Sequence, residues 1–374
     1  MIIYMLNLGF PTKKYPLQGI FALDQAKAIG SLGHRVILIS IDIRSIRRMR
    51  KWGLQKIYIE NNITVYNFSF PLGKFPPFII TNATSLILYL LFKIIIKKEA
   101  RPDIIHAHFC YPMGFAAAKL KKKYNIPLVI TEHSSSLLKN YQENHTRYYQ
   151  FSYNNAERVI AVGNNLKKVI MNKFKVEPDV IFNIVDNKIF KYKEKTPSNE
   201  INYLSAANLI HRKGMDVLIE AFSRMCCKNS KLNIIGDGPE YNNLNKKINE
   251  LGLGSKVFLL GRKRRDEFAE LLHKSDVFVL ASRFETFGVV YIEALATGTP
   301  VIATDCGGPT DIVTPENGLL VEIDNIPMLT EALLLMKKNY KLYDNKKISE
   351  KTQETFSPYN IAKQIERVYY EIIN

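Results

Sequence analysis

Between Asp276 and Val313 the chain reads DVFVLASRFETFGVVYIEALATGTPVIATDCGGPTDIV, and this stretch limits the fold more than any other. Val277-Phe278-Val279-Leu280 is short, apolar and rich in β-branched residues, the pattern of a buried strand. A loop carrying Arg283, Glu285 and Thr286 follows, then residues 289–296 read as a helix stopped by Gly298 and Pro300. Residues 301–303 make a second buried strand that runs into a Gly-Gly-Pro turn. A strand–loop–helix–strand unit of this kind is the repeating piece of a parallel α/β sheet.

Two carboxylates frame the start of that helix. Glu285 lies in the loop and Glu293, eight residues on, lies inside the helix. Between them the backbone N–H groups of Phe287, Gly288 and Val289 stand at a helix N-terminus, where unpaired donors and the helix dipole both favour an anion. Gly288 lets a ligand approach the backbone closely. A phosphate bound there leaves one carboxylate on the loop side and one along the helix, each able to accept hydroxyl hydrogen bonds from a different sugar ring. The alternative is a pair of solvated surface acids, which accounts for one glutamate more readily than for the whole unit.

The Glu-x7-Glu spacing, followed by GTPVIAT and GGP, resembles the retaining glycosyltransferases of family four. The resemblance implies the GT-B fold, two Rossmann-like parallel α/β domains facing a cleft, and it extends over essentially the whole chain. Its motifs are much more specific in the second half than in the first.

Length agrees with two domains: 374 residues exceed what one small core needs and suit two of roughly 180 residues each. The expected division is an acceptor-binding domain over 1–190, a nucleotide-sugar-binding domain over 191–358 and a helix over 359–374 that returns to the first domain. The polar residues 191–200 are the expected linker. Cys110, Cys226, Cys227 and Cys306 form no CxxC pair and no metal-ligand spacing, which fits a reducing compartment. The N-terminus lacks a basic segment ahead of its short apolar run, so it reads as a first strand, not a signal peptide.

Charge is unevenly placed. Residues 1–190 carry 27 Lys and Arg against 11 Asp and Glu, or +16, whereas residues 191–374 carry 25 against 24, or +1. Runs from Arg44 to Lys51 and from Lys119 to Lys123 contribute most. Nucleic acid, an anionic membrane surface and a phosphorylated acceptor are the partners such an excess suits. Residues 78–96 (FIITNATSLILYLLFKIII) bear on the choice. They sit at the lower length limit for a membrane span but contain Thr81, Asn82, Thr84, Ser85 and Lys93. A core-facing helix and a helix resting in the headgroup region are the two readings left open. No nucleic-acid-binding motif occurs, so peripheral membrane contact is favoured.

Taken in order, residues 2–8 form a strand and 18–32 a helix, with Gly19 at its start able to admit a phosphate or sugar against the backbone. Strands follow at 34–39 and 101–106, the latter running into His106-Ala107-His108. Histidines two apart on a strand can ligate metal, but no third ligand is suitably spaced, and hydrogen-bonded histidines at a strand end are the simpler account. A further strand from Pro127 ends in Thr131-Glu132-His133-Ser134, at the carboxyl end where open α/β sheets gather functional groups. Strand 156–162 closes this half.

In the family resembled, the loop at Gly19 contacts donor and acceptor, and the histidine at His133 reaches the donor sugar. Asn183 and Asp186 stand where the family has a hinge motif, without its usual Pro and Gly. Lys213, before Gly214 and an apolar-periodic helix at 215–225, matches the lysine that neutralises the donor diphosphate. Asn208 stands where an arginine is usual, so either Asn208 or Arg212 is the assistant of Lys213. Gly236-Asp237-Gly238-Pro239 matches the family's strand-to-helix turn, and the strand ending at Gly261-Arg262 would flank the nucleobase. The run Arg262-Lys-Arg-Arg265 otherwise reads as a solvated basic face.

The activity implied is transfer of a sugar from a nucleotide diphosphate sugar to a hydroxyl with retention of configuration. The acceptor expected is a lipid-linked glycan of surface polysaccharide, met at the cytoplasmic membrane face. Glu293 would bind the ribose, and Glu285 and His133 would attend the sugar. Lys213 and the N–H groups at Phe287, Gly288 and Val289 would stabilise the leaving diphosphate, with Gly236 and Gly238 close by. No Asp-x-Asp motif occurs, so neither a metal nor a cofactor is expected. A nucleotide-sugar hydrolase or epimerase of the same fold, and a non-enzymatic basic membrane-binding module, are the rival readings.

Overall fold

The computed structural model describes residues 1–12, 15–43, 52–59, 62–71, 75–139, 143–195, 199–225 and 229–374. The basic run from Arg44 to Arg50 with Lys51, and Cys226 and Cys227, lie outside the described residues. The chain forms two units, Met1–Ile184 with Pro358–Asn374, and Val185–Ser357.

The first unit contains β1 (Ile2–Leu8), α1 (Ile20–Ser31), β2 (Arg35–Ile43), β3 (Gly53–Ile59), β4 (Ile63–Phe70), α2 (Pro77–Glu99), β5 (Ile104–His108), α3 (Phe115–Tyr124), β6 (Leu128–Glu132), α4 (Ser136–Lys139), α5 (Thr146–Asn154), β7 (Arg158–Ala161), α6 (Asn164–Phe174) and β8 (Asp179–Val180). Its sheet has the order β3-β4-β2-β1-β5-β6-β7-β8. Every pairing is parallel except β3 with β4. Both faces of the sheet centre are covered, as the apolar runs at residues 2–6 of β1 and 36–39 of β2 require. Ile3, Met5, Val36, Leu38 and Val65 pack on one side with Leu23, Ala26 and Ile29 of α1. Tyr4, on the other side, meets Phe92 of α2 edge-on at 5.5 Å.

The second unit contains β9 (Ile201–Ala206), α7 (Met215–Arg224), β10 (Ser230–Ile235), α8 (Tyr241–Glu250), β11 (Val257–Leu259), α9 (Arg265–His273), β12 (Val277–Leu280), α10 (Val289–Ala296), β13 (Val301–Thr304), β14 (Gly318–Val321), α11 (Ile326–Asn339) and α12 (Asn345–Phe356). Its sheet, β11-β10-β9-β12-β13-β14, is parallel throughout. The helix α13 (Pro358–Ile373) belongs to the first unit, where Ile361, Ile365 and Tyr369 join the α1 side of the core.

The expected boundaries after residues 190 and 358 move. Residues 185–190 belong to the second unit because Phe190 is fully buried there, edge-on to Phe268 at 5.8 Å. The polar stretch after it is surface, not linker: Lys195 donates to the carbonyl of Ser275 and, at 2.8 Å, to Thr299. Pro358 opens α13, as expected of a proline at a first helical position.

Candidate active site

In an open parallel sheet, ligands collect at the carboxyl ends of the strands, where the strand order reverses. The second unit reverses between β9 and β12, since β9 is followed in sequence by its neighbour β10 on one side and flanked by β12 on the other. The loops leaving these two strands carry Lys213 and Glu285. The Lys213 ammonium is paired with Oε1 of Glu285, and both side chains are largely shielded, 14% and 8% exposed. Ser282 Oγ donates to the same carboxylate oxygen at 2.8 Å. The Glu285 loop is held on its far side too, where its N–H donates to the carbonyl of Cys306 at 3.3 Å and its carbonyl accepts from Gly308 at 3.1 Å.

Arg283 ties the two loops together. Its guanidinium grips both oxygens of Asp216 at 3.0 and 2.8 Å, pairs with Asp324 at 2.8 Å and donates to the carbonyl of His211. Its backbone N–H donates to the carbonyl of Arg212 at 2.8 Å. Gly214, which starts α7, has φ 62, and a Cβ there would lie 1.8 Å from the carbonyl oxygen of Ala281. The backbone of the Lys213 turn therefore lies directly on the chain leaving β12. Sequence reasoning passed over Ser282 and gave Arg283 no role, because the roles of both depend on contacts across the sheet.

Gly288 starts α10 at φ 94, and the ring of Tyr291 fills the space where a Cβ would stand, 2.6 Å away. Phe287 is buried beside Phe356 at 5.8 Å, so its side chain belongs to the core while its backbone, with that of Gly288 and Val289, forms the helix start. Glu293 is buried in α10 and meets Arg265 at 3.3 Å. Arg265 also approaches Asp186 at 3.8 Å and lies over the ring of Phe190 at 5.5 Å. The basic run is thus not a uniformly solvated face. Arg264 is exposed and bound to Asp266, whereas Arg265 turns inward to two carboxylates. Arg262 is exposed, 3.6 Å from Asp237. Gly236 and Gly238 sit where the turn after β10 packs on residues 207–209. Asn208 is exposed, and Arg212 lies over the ring of Phe284 at 5.1 Å with its Nε buried and unpartnered.

The first unit reverses its strand order between β1 and β5. Gly19 starts α1 against Asn7 and Gly9, at the end of β1. His106 and His108 lie inside β5, and His133 follows β6. Their rings form a column: His106 stacks on His108 at 4.9 Å and His108 on His133 at 5.3 Å. His106 uses both nitrogens, toward Tyr369 at 2.5 Å and Thr131 at 2.7 Å. Phe21 and Phe109 close on His133 at 4.3 and 5.4 Å. Burial pushes His106 and His133 down to about 3 and His108 well below its usual value, so the column is neutral at ordinary pH. Glu132 beneath it accepts from the backbone N–H groups of Cys110, His133 and Ser134 and from Tyr153. Among the described residues no group of three His, Cys, Asp or Glu side chains is placed to hold a metal ion. A cavity of about 630 Å³, lined by Asp311, Glu316, Lys347 and Lys351 among others, holds none of these site residues.

Residues 18–188 match the family model "Glycosyltransferase Family 4" and residues 186–355 match "Glycosyl transferases group 1". An uncharacterized glycosyltransferase of Methanocaldococcus jannaschii is 33% identical over 290 residues, covering 76% of this chain and 79% of that protein. The putative teichuronic acid biosynthesis glycosyltransferase TuaC of Bacillus subtilis is 26% identical over 89% of this chain and 88% of its own length. Among solved structures, Anabaena HepE in complex with UDP superposes with a TM-score of 0.77 at 19% identity, over 99% of this chain and all of that one. The two parallel-sheet units and these matches together show that the chain belongs to the group 1 glycosyltransferases of GT-B fold.

Proposed function

We propose that the protein transfers a sugar from a nucleotide diphosphate sugar to a hydroxyl with retention of configuration and without a metal ion. The acceptor in this proposal is a lipid-linked glycan of a surface polysaccharide. The observation that carries the donor half is the joining of Lys213 and Glu285 at the β9/β12 reversal, beside the start of α10. A leaving diphosphate needs its developing charge countered, and the Lys213 ammonium with the N–H groups at the start of α10 supplies that once the donor has displaced Glu285 from the ammonium. Glu293 accepts from the ribose hydroxyls, Glu285 holds sugar hydroxyls near the reacting carbon, and His133 adds a hydrogen bond to the sugar. The acceptor attacks from the face the diphosphate leaves, and the leaving oxygen takes its proton. Family membership and the UDP found in HepE favour a nucleotide donor, and TuaC favours a polysaccharide acceptor.

The same proposal sets the enzyme at the cytoplasmic face of a membrane. The inner face of α2 buries Leu88, Leu91, Phe92 and Ile95, yet only 33% of its most apolar window is buried. Its outer face shows Phe78, Leu86, Leu90 and Ile94, about half exposed, with Lys93, Lys97 and Lys98 toward its C-terminal end. The neighbouring α3 adds exposed Lys119, Lys122 and Lys123. An apolar strip edged with lysines suits a helix lying in the headgroup region of an anionic bilayer. Flotation with and without anionic lipid tests this, and protein left at the bottom of both gradients refutes it.

The donor is tested by thermal stability against UDP-, GDP-, ADP- and dTDP-sugars, each with and without EDTA. A ligand at about 100 times its Kd adds about 2.7 kcal/mol, a rise of several degrees. One nucleotide raising Tm, with EDTA making no difference, is the expected result. A rise abolished by EDTA refutes metal independence, and no rise with any nucleotide refutes the donor site.

A further inference from the structure

The β14 edge of the second sheet carries an apolar surface that neither the core nor the proposed site uses. β14 ends that sheet, and Leu319 and Leu320 on it are only partly buried. α11, which follows, buries Leu329, Ala332, Leu333 and Met336 and packs on α7. Its opposite side is apolar too at its middle, where Leu334 and Leu335 are 41% and 47% exposed. These two leucines, Met328 and the β14 pair line one open groove along the sheet edge, which Glu331 and Lys338, both exposed, also line. An open strand edge is a template for another chain, and contiguous exposed apolar surface beside it marks an interface.

The order of residues on this face identifies what covers it. Glu331, Leu334, Leu335 and Lys338 stand at i, i+3, i+4 and i+7 of one helix, so they share a stripe. The stripe has an acid before its leucines and a base after them. Two such helices laid antiparallel, with a two-fold axis between Leu334 and Leu335, set Glu331 against the partner's Lys338 at both ends and leucine against leucine between. A two-fold axis running along the helices would instead oppose like charges. An isologous interface requires a surface that complements itself, and the antiparallel arrangement meets that condition.

We infer that this face joins two copies of the chain: α11 packs antiparallel on its counterpart, Leu334 and Leu335 lie at the axis, Leu319 and Leu320 flank them, and two Glu331–Lys338 pairs close the ends. The inference stands apart from the sugar transfer proposed above, because none of the residues of that site takes part.

The test is analytical ultracentrifugation of the full-length protein. A helix pair with a strand edge is a small interface, so a Kd on the order of micromolar is expected, with dimer dominant at about 100 μM. A monomer throughout that range overturns the inference, whatever else the face then binds. Leu335→Asp, a change at an exposed position, should abolish the dimer. Glu331→Lys and Lys338→Glu should each weaken it by about tenfold, since the symmetry makes every reversal act twice. An equimolar mixture of those two variants should recover it, because opposite charges then meet at both ends. That recovery also shows that each variant is folded. A dimer indifferent to all three substitutions, or a mixture no tighter than either variant alone, overturns the inference.

Discussion

The Lys213 ammonium lies against Oε1 of Glu285, so the cation proposed to meet the diphosphate is neutralised by the carboxylate proposed to hold the sugar. On that proposal a donor enters between them, exchanging the carboxylate for phosphate at the ammonium. Glu285→Gln removes the competing charge without changing shape. Turnover should fall at least about a hundredfold, the usual cost of losing one group that stabilises the transition state. Affinity for the free nucleotide should stay level or tighten, because Lys213 is released. Steady-state rates and calorimetric titration with nucleotide check the two halves separately.

Glu293 calls for the opposite split. Its carboxylate is buried beside Arg265, and the proposed ribose bonds would be charge-assisted. Glu293→Ala should weaken nucleotide binding by about ten- to a hundredfold, corresponding to roughly 1.5–3 kcal/mol for a hydrogen bond to a charged group. The rate at saturating donor should move much less, which a KM and kcat comparison detects.

Gly214→Ala should be destabilising out of proportion to one methyl group. The residue stands at φ 62, and the added carbon would strike the Ala281 carbonyl oxygen at 1.8 Å. The cost expected from such backbone strain is about 1–3 kcal/mol, or a drop of several degrees in Tm. The Lys213 turn must shift to relieve the clash, so donor affinity should fall with it. Gly252→Ala, at φ 65 with open space around its Cβ, is the control for strain without collision.

Acid should loosen the histidine column. His106 and His133 are pushed down to about 3 in the folded chain, against about 6.5 when unfolded. Between those values the unfolded chain binds more protons, so stability falls as pH falls, by up to about 1.4 kcal/mol per pH unit for each histidine. Above 6.5 their contribution is flat. His108 acts in the same direction. Glu132, whose carboxyl burial pushes upward, acts in the opposite one over its own range. A series of Tm values from pH 7.5 to 4.5 should therefore slope less steeply in His106→Gln than in the parent, whatever the offset between them.

Much of this was legible in the sequence. The parallel α/β character followed from alternating strand and helix patterns, which are local signals, and the GT-B fold was what the family resemblance of the motifs around Glu285 implied. Arg265 was not legible, because a run of four basic residues looks solvated until α9 turns one of them toward Glu293 and Asp186. Ser282 carries no pattern of its own; its hydroxyl acquires a role only where β12 ends beside Glu285. The antiparallel pair β3 and β4 went unread between the expected strand at 34–39 and the helix at 78–96. The boundary near 190 was misplaced because composition reports solvent exposure, and Lys191, Lys193 and Glu194 are exposed without being a connection between units.

The helix α13 gives the first unit an unusual relation to its own synthesis. A ribosome delivers residues 1–184 first, but the last helix of that body is made only after the whole of 185–357. Until then Ile3, Met5 and Val36 lack the cover of Ile361 and Ile365, His34 lacks Glu366, and His106 lacks Tyr369. Domains generally fold in order of emergence. Here the contiguous second unit possesses all its parts first, so the body that begins the chain is the one that finishes folding last.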